Sequence, residues 1–255
     1  MSTGLITRKC YGAPYQDCDG KRASREHWIS RALLKRLKYD GARFELTGFA
    51  WFEGARESHE DEITARVLCA RHNSMLHELD DAIVALHDAW LGAAEGKHVD
   101  VVIQGEDLER WGLKVLVGMV VSGAARIDGR NVKVVPPPQA VLDVVFGKHD
   151  LPPPRGFYFA LHNERDDGLK IKVNTPPQGH PLEGIALGIT IQFLAFRFLT
   201  YLNPLPIADP EHFIYRPAGI DFGPRGRLAF KWRQGAANKA IPINIALTTT
   251  PNGGK

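Results

Sequence analysis

The chain has 255 residues, of which 44% are hydrophobic, and a formal net charge of +3. This composition predicts a packed core and excludes a largely disordered chain, and the length allows one large domain or two smaller ones. No apolar run reaches about 18 residues, and the first residues lack a charged segment followed by an apolar one, so neither a membrane span nor a secretory signal is expected.

Basic residues are concentrated near the beginning of the chain. Residues 8–43 contain ten Lys or Arg against four Asp or Glu, whereas residues 53–62 are rich in acidic side chains. A basic face in this region would suit a polyanion such as DNA. An ordinary solvated helix surface is the alternative interpretation of the same run.

The first third of the chain combines turns with two helical patterns. Residues 7–20 are polar and rich in turn-forming residues, which predicts a loop or a short hairpin. Residues 24–38 predict an extended entry followed by a helix with apolar residues at four-residue spacing. A second helix is predicted from Leu76 to Trp90 by its apolar stripe, and Gly92 and Gly96 are expected to end it.

The pattern changes near residue 136. Before residue 136, a third helix is predicted over residues 106–121, with Glu109 and Arg110 at its polar end. This helix is expected to be the last element of an all-helical part. After it, a short helix near 139–146 precedes strands separated by turn residues such as Asp166–Gly168. The predicted strands cover residues 156–161, 169–173, 185–199, 213–215, 228–232 and 241–247. The expected fold is therefore α+β, with domains at 1–135 and 136–255.

The three cysteines predict a metal site. An odd number of cysteines, all in the first third of the chain, indicates a reducing, cytoplasmic compartment in which thiolates are available for metal. Cys69 and His72 form a Cys-x-x-His pair, which suits zinc because both donors reach one ion from a turn leading into a helix. Cys10 and Cys18 complete a Cys3His set for structural Zn2+. Their separation is wider than in a usual zinc pair, and three buried free cysteines are the alternative.

Two segments of this region resemble motifs of the HNH endonuclease family. Ser24–Ser30 is similar to the Ser-x-Glu-His-Ile-Ile-Pro-like segment of the subgroup whose ββα-metal fold is held by a zinc knuckle. Cys69–Asn73, followed by Leu79-Asp80, is similar to the closing Cys-x-x-Cys-Asn and Leu-Asp pattern. The resemblance covers about residues 8–90 and implies a zinc-stapled ββα-metal module followed by a β-rich domain. The expected middle asparagine is absent, and Thr64 is the nearest residue to its position.

The resemblance also implies roles for individual residues. His27 is implied as the general base, and Glu26 and Asn73 as ligands of a catalytic Mg2+ or Mn2+. His77 is implied as an extra metal or phosphate contact, with a solvent-facing helix histidine as the alternative. Among the basic residues of this region, we expect Arg25, Arg31 and Lys35 to contact DNA.

The implied activity is hydrolysis of DNA phosphodiester bonds by a metal-dependent endonuclease. A catalytically inactive, zinc-stapled protein that binds nucleic acid or regulates a partner is the alternative. The role of residues 136–255 is left open between a sensor, an oligomer interface and a surface for a regulatory partner. Basic and aromatic residues near its strands would suit nucleic acid, and ordinary strands with an apolar inside and a charged outside are the favoured alternative.

Overall fold

A computed structural model of the chain describes residues 10–15, 18, 23–39, 43–46, 63–127, 130–131, 137–174, 186–202, 213–233 and 240–242. The helices of this part are α1 Arg31–Tyr39, α2 Ala70–Met75, α3 His77–Ala94, α4 Gly105–Val121 and α5 Gln139–Val145. The strands are β1 Ser24–His27, β2 Arg43–Leu46, β3 Thr64–Leu68, β4 Val99–Gln104, β5 Arg126–Ile127, β6 Arg130–Asn131, β7 Gly156–Asn174, β8 Gly188–Tyr201, β9 Ile214–Tyr215, β10 Gly219–Asp221, β11 Gly226–Lys231 and β12 Ala240–Pro242. The fold is mixed α+β, as predicted.

The first strand pair and the short helix α2 form a local β-β-α unit. β1 pairs antiparallel with β3, so that Glu26 lies opposite Ala65 and His27 opposite Thr64. α2 begins directly after β3 and contacts both strands. Ser30 accepts a hydrogen bond from the Leu33 backbone N–H at 3.4 Å and so caps α1. β1 followed by α1 confirms the extended segment and helix that are predicted over residues 24–38.

The helix α4 lies at the centre of the molecule. It contacts α3, α5 and strands of both larger sheets, and its side chains are buried almost all round. A helix that is buried on all sides differs from the amphipathic helix that its sequence predicts. The prediction of a polar end at Glu109 and Arg110 is wrong, because both side chains are buried in ion pairs.

One four-stranded sheet has the order β12-β10-β11-β4. β4 lies at its edge and pairs in parallel with β11, from Val99 opposite Gly226 to Gln104 opposite Lys231. The expectation of an all-helical part before residue 136 is wrong, since β4 is a strand. Its β-branched residues favour that structure, and the long-range pairing with β11 satisfies its backbone.

The other large sheet is built on a long hairpin. β7 pairs antiparallel with β8, and β2 and β9 also pair with β7. The turn predicted at Asp166–Gly168 is wrong, because β7 continues through these residues with two shifts of register. A register shift of this kind lets a strand include turn-forming residues without reversing its direction.

Both large sheets draw strands from each side of residue 136. β2 and β4 precede that residue, and their partners β7 and β11 follow it. A single hydrophobic cluster extends from Tyr11 to Ile241. The strand pairing therefore joins residues before and after residue 136 in the same sheets. Whether residues 1–135 and 136–255 fold as separate domains stays a prediction.

Candidate metal centre

The four predicted zinc ligands come from three short segments. Cys10 precedes the turn at Tyr11–Tyr15, and Cys18 follows that turn. Cys69 directly follows the last residue of β3 and is the N-cap of α2. Its Sγ accepts a hydrogen bond from the His72 backbone N–H at 3.5 Å. The position of Cys69 and His72 on one helical turn is the geometry that the Cys-x-x-His spacing predicts.

The donor atoms of these residues converge. The distance to His72 Nδ1 is 3.3 Å from Cys10 Sγ, 3.7 Å from Cys18 Sγ and 3.3 Å from Cys69 Sγ. All four donor atoms lie within 4.8 Å of one another. Around a tetrahedral zinc ion, ordinary bond lengths place sulfur and nitrogen about 3.5 Å apart and two sulfurs about 3.8 Å apart. The cluster can hold a metal ion, and its donor set and spacing are consistent with structural zinc.

Burial makes a thiolate costly at this position without a cation. It raises the pKa of Cys10 to about 12, although hydrogen bonds from the backbone of Cys69 and Gly12 lower it in part. Electrostatic repulsion from the neighbouring Cys69 and Cys18 thiolates raises it further. A divalent ion removes this penalty because a coordinated thiol is held in its deprotonated form.

Aromatic rings enclose the histidine of the cluster. The His72 ring lies edge-on to Phe146, with 5.4 Å between the ring centroids, and Tyr15 lies 6.4 Å away. The Tyr15 hydroxyl donates a hydrogen bond to Asp143 of α5 at 2.9 Å, and the Lys148 ammonium lies 3.8 Å above the Tyr15 ring. These contacts fix the orientation of the ring and attach the metal centre to α5 and the turn after it.

Gly12 permits the close approach of the chain to His72. A Cβ atom at position 12 would lie 2.7 Å from Cγ and Nδ1 of the His72 ring. We expect Gly12→Ala to displace that ring and to lower zinc affinity by about tenfold or more, measured by competition with a chromogenic chelator. Gly92→Ala is the control, because its Cβ would meet its nearest neighbour at an ordinary 3.7 Å. Equal affinity in the wild type and both variants would contradict this role of Gly12.

A second polar cluster lies inside the protein, next to β1. Lys114 of α4 donates hydrogen bonds to both carboxylate oxygens of Asp80 at 3.0 Å, and its Nζ lies 3.7 Å from Glu26 Oε1. Glu26 is only 3% exposed. Burial raises the pKa of Glu26 to about 7; Lys114 acts in the opposite direction and Asp80 raises the pKa further.

The arrangement of Glu26 does not fit a ligand of Mg2+. The Lys114 ammonium already stands beside its Oε1, and Oε2 has no hydrogen-bond partner among the residues that the structure describes. Mg2+ is usually bound by carboxylate oxygens that it approaches together with several waters. The Lys114 ammonium repels a second cation at Glu26, and the burial of this carboxylate leaves little space for those waters. Sequence reasoning missed Lys114, although a lysine between Leu113 and Val115 in an apolar helix signals a buried ion pair.

The other predicted catalytic residues lie on elements that adjoin one another. His27 ends β1, Asn73 lies on α2, and both are partly buried. β1 and α2 are in contact. His77 is different, because its side chain is 76% exposed and its ring lies 3.5 Å from the carboxylate of Asp81. This is the environment of a solvent-facing helix histidine.

The three predicted DNA contacts lie on the surface of β1 and α1. Arg25, Arg31 and Lys35 are all exposed, and Arg31 and Lys35 lie one turn apart on α1. Arg25 donates a hydrogen bond from Nε to Thr64 Oγ1 at 3.1 Å across the β1–β3 pair. Thr64 therefore stands beside His27 in the strand register but is engaged by Arg25.

No protein-family model, curated protein or solved structure matches the chain. None of the helices in the described residues is long and apolar enough to cross a membrane. The chemically distinctive groups of the described residues are the Cys3His cluster and the polar side chains on β1, α1 and α2.

Proposed function

We propose that this chain is a metal-dependent HNH-type endonuclease that hydrolyses phosphodiester bonds in DNA. The observation that carries the proposal is the convergence of Cys10, Cys18, Cys69 and His72 at the junction of β3 and α2. The antiparallel partner of β3 is the strand that ends in His27. A metal-stapled β-β-α unit with a histidine at the end of its first strand is the arrangement that the motif resemblance implies.

In this proposal His27 is the general base. A neutral imidazole has an ordinary pKa near working pH and accepts a proton from the water that attacks the phosphorus. Asn73 on the adjoining α2 offers an amide oxygen, a donor that hard divalent ions accept. Mg2+ or Mn2+ is the proposed second cofactor beside structural zinc, and when bound it would stabilise negative charge on the leaving 3'-oxygen. Glu26 is not assigned as its ligand, because Lys114 engages that carboxylate.

The alternative is a zinc-stapled protein that binds nucleic acid or regulates a partner without turnover. The enclosure of Glu26 with Lys114 favours it, because the cluster then stabilises the attachment of β1 to α4 instead of holding an ion. Thr64 in place of the middle asparagine also favours it, since its hydroxyl already accepts from Arg25. Zinc and the exposed basic residues are sufficient for this second function.

DNA is the proposed partner in both cases. Arg25, Arg31 and Lys35 present positive charge on the surface of β1 and α1, and phosphate contacts of this kind bind DNA without selecting sequence. A cytoplasmic location is proposed because a reducing compartment keeps the three cysteines available to zinc. An oligomer interface or a surface for a regulatory partner is the proposed role of the part after residue 136.

Replacement of His27 tests the nuclease. We expect the wild type to nick supercoiled plasmid when Mg2+ or Mn2+ is added, and His27→Ala to lose at least about a hundredfold in rate. His98→Ala is the matched control, because His98 is an exposed histidine in the loop before β4. Agarose gel electrophoresis of the plasmid over time gives the rates, and the zinc content of each protein is measured in parallel.

The outcomes separate the two proposed functions. Activity that needs added Mg2+, survives His98→Ala and disappears in His27→Ala supports the nuclease. Intact plasmid with every metal, from protein that retains zinc and binds the plasmid in a gel-shift assay, would leave the inactive binding protein. Cleavage by His27→Ala at the wild-type rate would exclude His27 as the base.

A further inference from the structure

A concave surface lies on the outer face of the β7–β8 hairpin, and we call it the β7–β8 groove. Its volume is about 380 Å3, and its lining includes the basic residues Lys170, Lys172 and Arg197. Amide and hydroxyl groups complete the polar lining, from Asn174, Thr190 and Gln192. None of the lining residues belongs to the Cys3His cluster.

The alternation of the strands produces this polar face. Ile171 and Val173 of β7 are buried in the core, so the intervening Lys172 emerges on the opposite face of the sheet. Lys170 lies opposite Gln192, and Lys172 lies opposite Thr190 in the antiparallel register. Cross-strand neighbours therefore place basic and hydrogen-bonding side chains next to one another.

Arg197 is held in place by an uncharged partner. Its Nε and Nη2 donate hydrogen bonds to Gln192 Oε1 at 3.2 and 3.1 Å. Neither Arg197 nor Lys172 forms an ion pair with a carboxylate in the described residues. A guanidinium fixed by an amide keeps its full charge, so Arg197 contributes positive potential to the groove together with the exposed Lys172.

We propose that the β7–β8 groove binds a single strand of nucleic acid through its phosphates. Fixed cations attract the phosphate backbone, and Phe213 in the lining supplies an aromatic ring on which a base can stack. A volume of about 380 Å3 is in the range of ligand pockets and matches a small part of a single strand rather than the broad surface of a duplex. The Asn174 amide donates one N–H to Thr190 Oγ1 at 2.9 Å, and its second N–H is a further donor for phosphate or sugar oxygens.

This inference goes beyond the proposed nuclease. It assigns a binding surface to the β7–β8 hairpin, which the metal centre and His27 do not include. Binding at the groove requires neither turnover nor added divalent ion, so its measurement without added metal is independent of whether the plasmid assay succeeds.

Fluorescence anisotropy with a labelled oligothymidine of about 15 nucleotides tests the groove. The buffer contains no added divalent metal, and gel analysis verifies that the probe stays intact. We expect salt-dependent binding by the full chain, a loss of about threefold in affinity for Lys172→Gln, and a loss of about tenfold or more for Lys172→Gln with Arg197→Gln. Lys231→Gln is the matched control, because Lys231 is an exposed lysine on a strand of the other sheet.

Each outcome is decisive for the proposal. Lys172→Glu reverses the charge of an exposed side chain with little risk to folding, so weaker binding by this variant, with an unchanged melting temperature, supports the groove. Unchanged affinity in the double variant, or no binding by the wild type, would overturn it. Equal binding of a labelled duplex would overturn the preference for a single strand, and displacement of the probe by stoichiometric ATP would instead assign the groove to a small phosphate ligand.

Discussion

Replacement of Cys69 by serine is expected to release zinc and to unfold the metal centre. Cys69 Sγ lies 3.3 Å from His72 Nδ1, is buried, and joins β3 to α2. Structural zinc in small domains contributes about 10–16 kcal/mol, so one ligand of four corresponds to about 2.5–4 kcal/mol, or roughly a hundredfold to several hundredfold in affinity. Metal analysis after dialysis and thermal melting of the purified variant measure both effects.

Chelation provides the control for this prediction. We expect EDTA to lower the melting temperature of the wild type toward that of Cys69→Ser, and added Zn2+ to restore only the wild type. Serine retains the size of the side chain, so a loss of packing is not expected to imitate the loss of metal. Wild-type stability in Cys69→Ser, with no zinc in either protein, would instead identify the cysteines as packed free thiols.

Replacement of Arg216 by methionine is expected to cost about 3–5 kcal/mol of the free energy of unfolding. Arg216 is completely buried, and its Nε and Nη2 donate to the two carboxylate oxygens of Glu109 at 3.0 and 2.9 Å. It also donates to the Leu151 carbonyl at 2.9 Å. Methionine fills similar space but leaves the Glu109 carboxylate buried without its cation. Urea unfolding followed by tryptophan fluorescence measures the change.

A double variant separates the ion pair from the packing. With Glu109→Gln added, the carboxylate charge is gone, while the side-chain oxygen can still accept from the Phe157 N–H that Glu109 engages at 2.9 Å. We therefore expect Glu109→Gln with Arg216→Met to be more stable than Arg216→Met alone. Arg227→Met is the exposed control and should change stability by less than about 0.5 kcal/mol. A similarly small effect of Arg216→Met would refute the importance of the pair.

The cluster of Cys10, Cys18, Cys69 and His72 was predictable as a candidate metal site because part of its signal is local. Cys69 and His72 are three residues apart, and that spacing fixes both donors on one turn wherever a helix begins there. Cys10 and Cys18 follow from the turn-rich segment that carries them. The apolar periodicity of α1, α3 and α4 is equally local, and the structure confirms these helices.

The long-range partners were not predictable from the same patterns. Charged residues such as Glu109 and Arg110 in the first turns of a helix are typical of a solvent-exposed helix end. Glu109 can be buried only because Arg216, 107 residues later in the chain, donates hydrogen bonds to its carboxylate. The strand β4 contains three valines and an isoleucine that signal a strand, but its pairing with β11 depends on the tertiary fold. Lys114 likewise turns Glu26 from an expected metal ligand into the member of an internal ion cluster.

The separation between Glu109 and Arg216 also has a consequence during synthesis of the chain. All four donors of the Cys3His cluster have been synthesised once residue 72 has emerged from the ribosome. The cation that pairs with Glu109 is Arg216, which is synthesised 107 residues after Glu109. At ribosomal rates of about 5–20 residues per second, that delay is about 5–20 s. During this interval Arg216 is not yet available to neutralise Glu109, so burial of this carboxylate would be costly. The order of translation therefore favours early assembly of the Cys3His cluster and late closure of the core around α4.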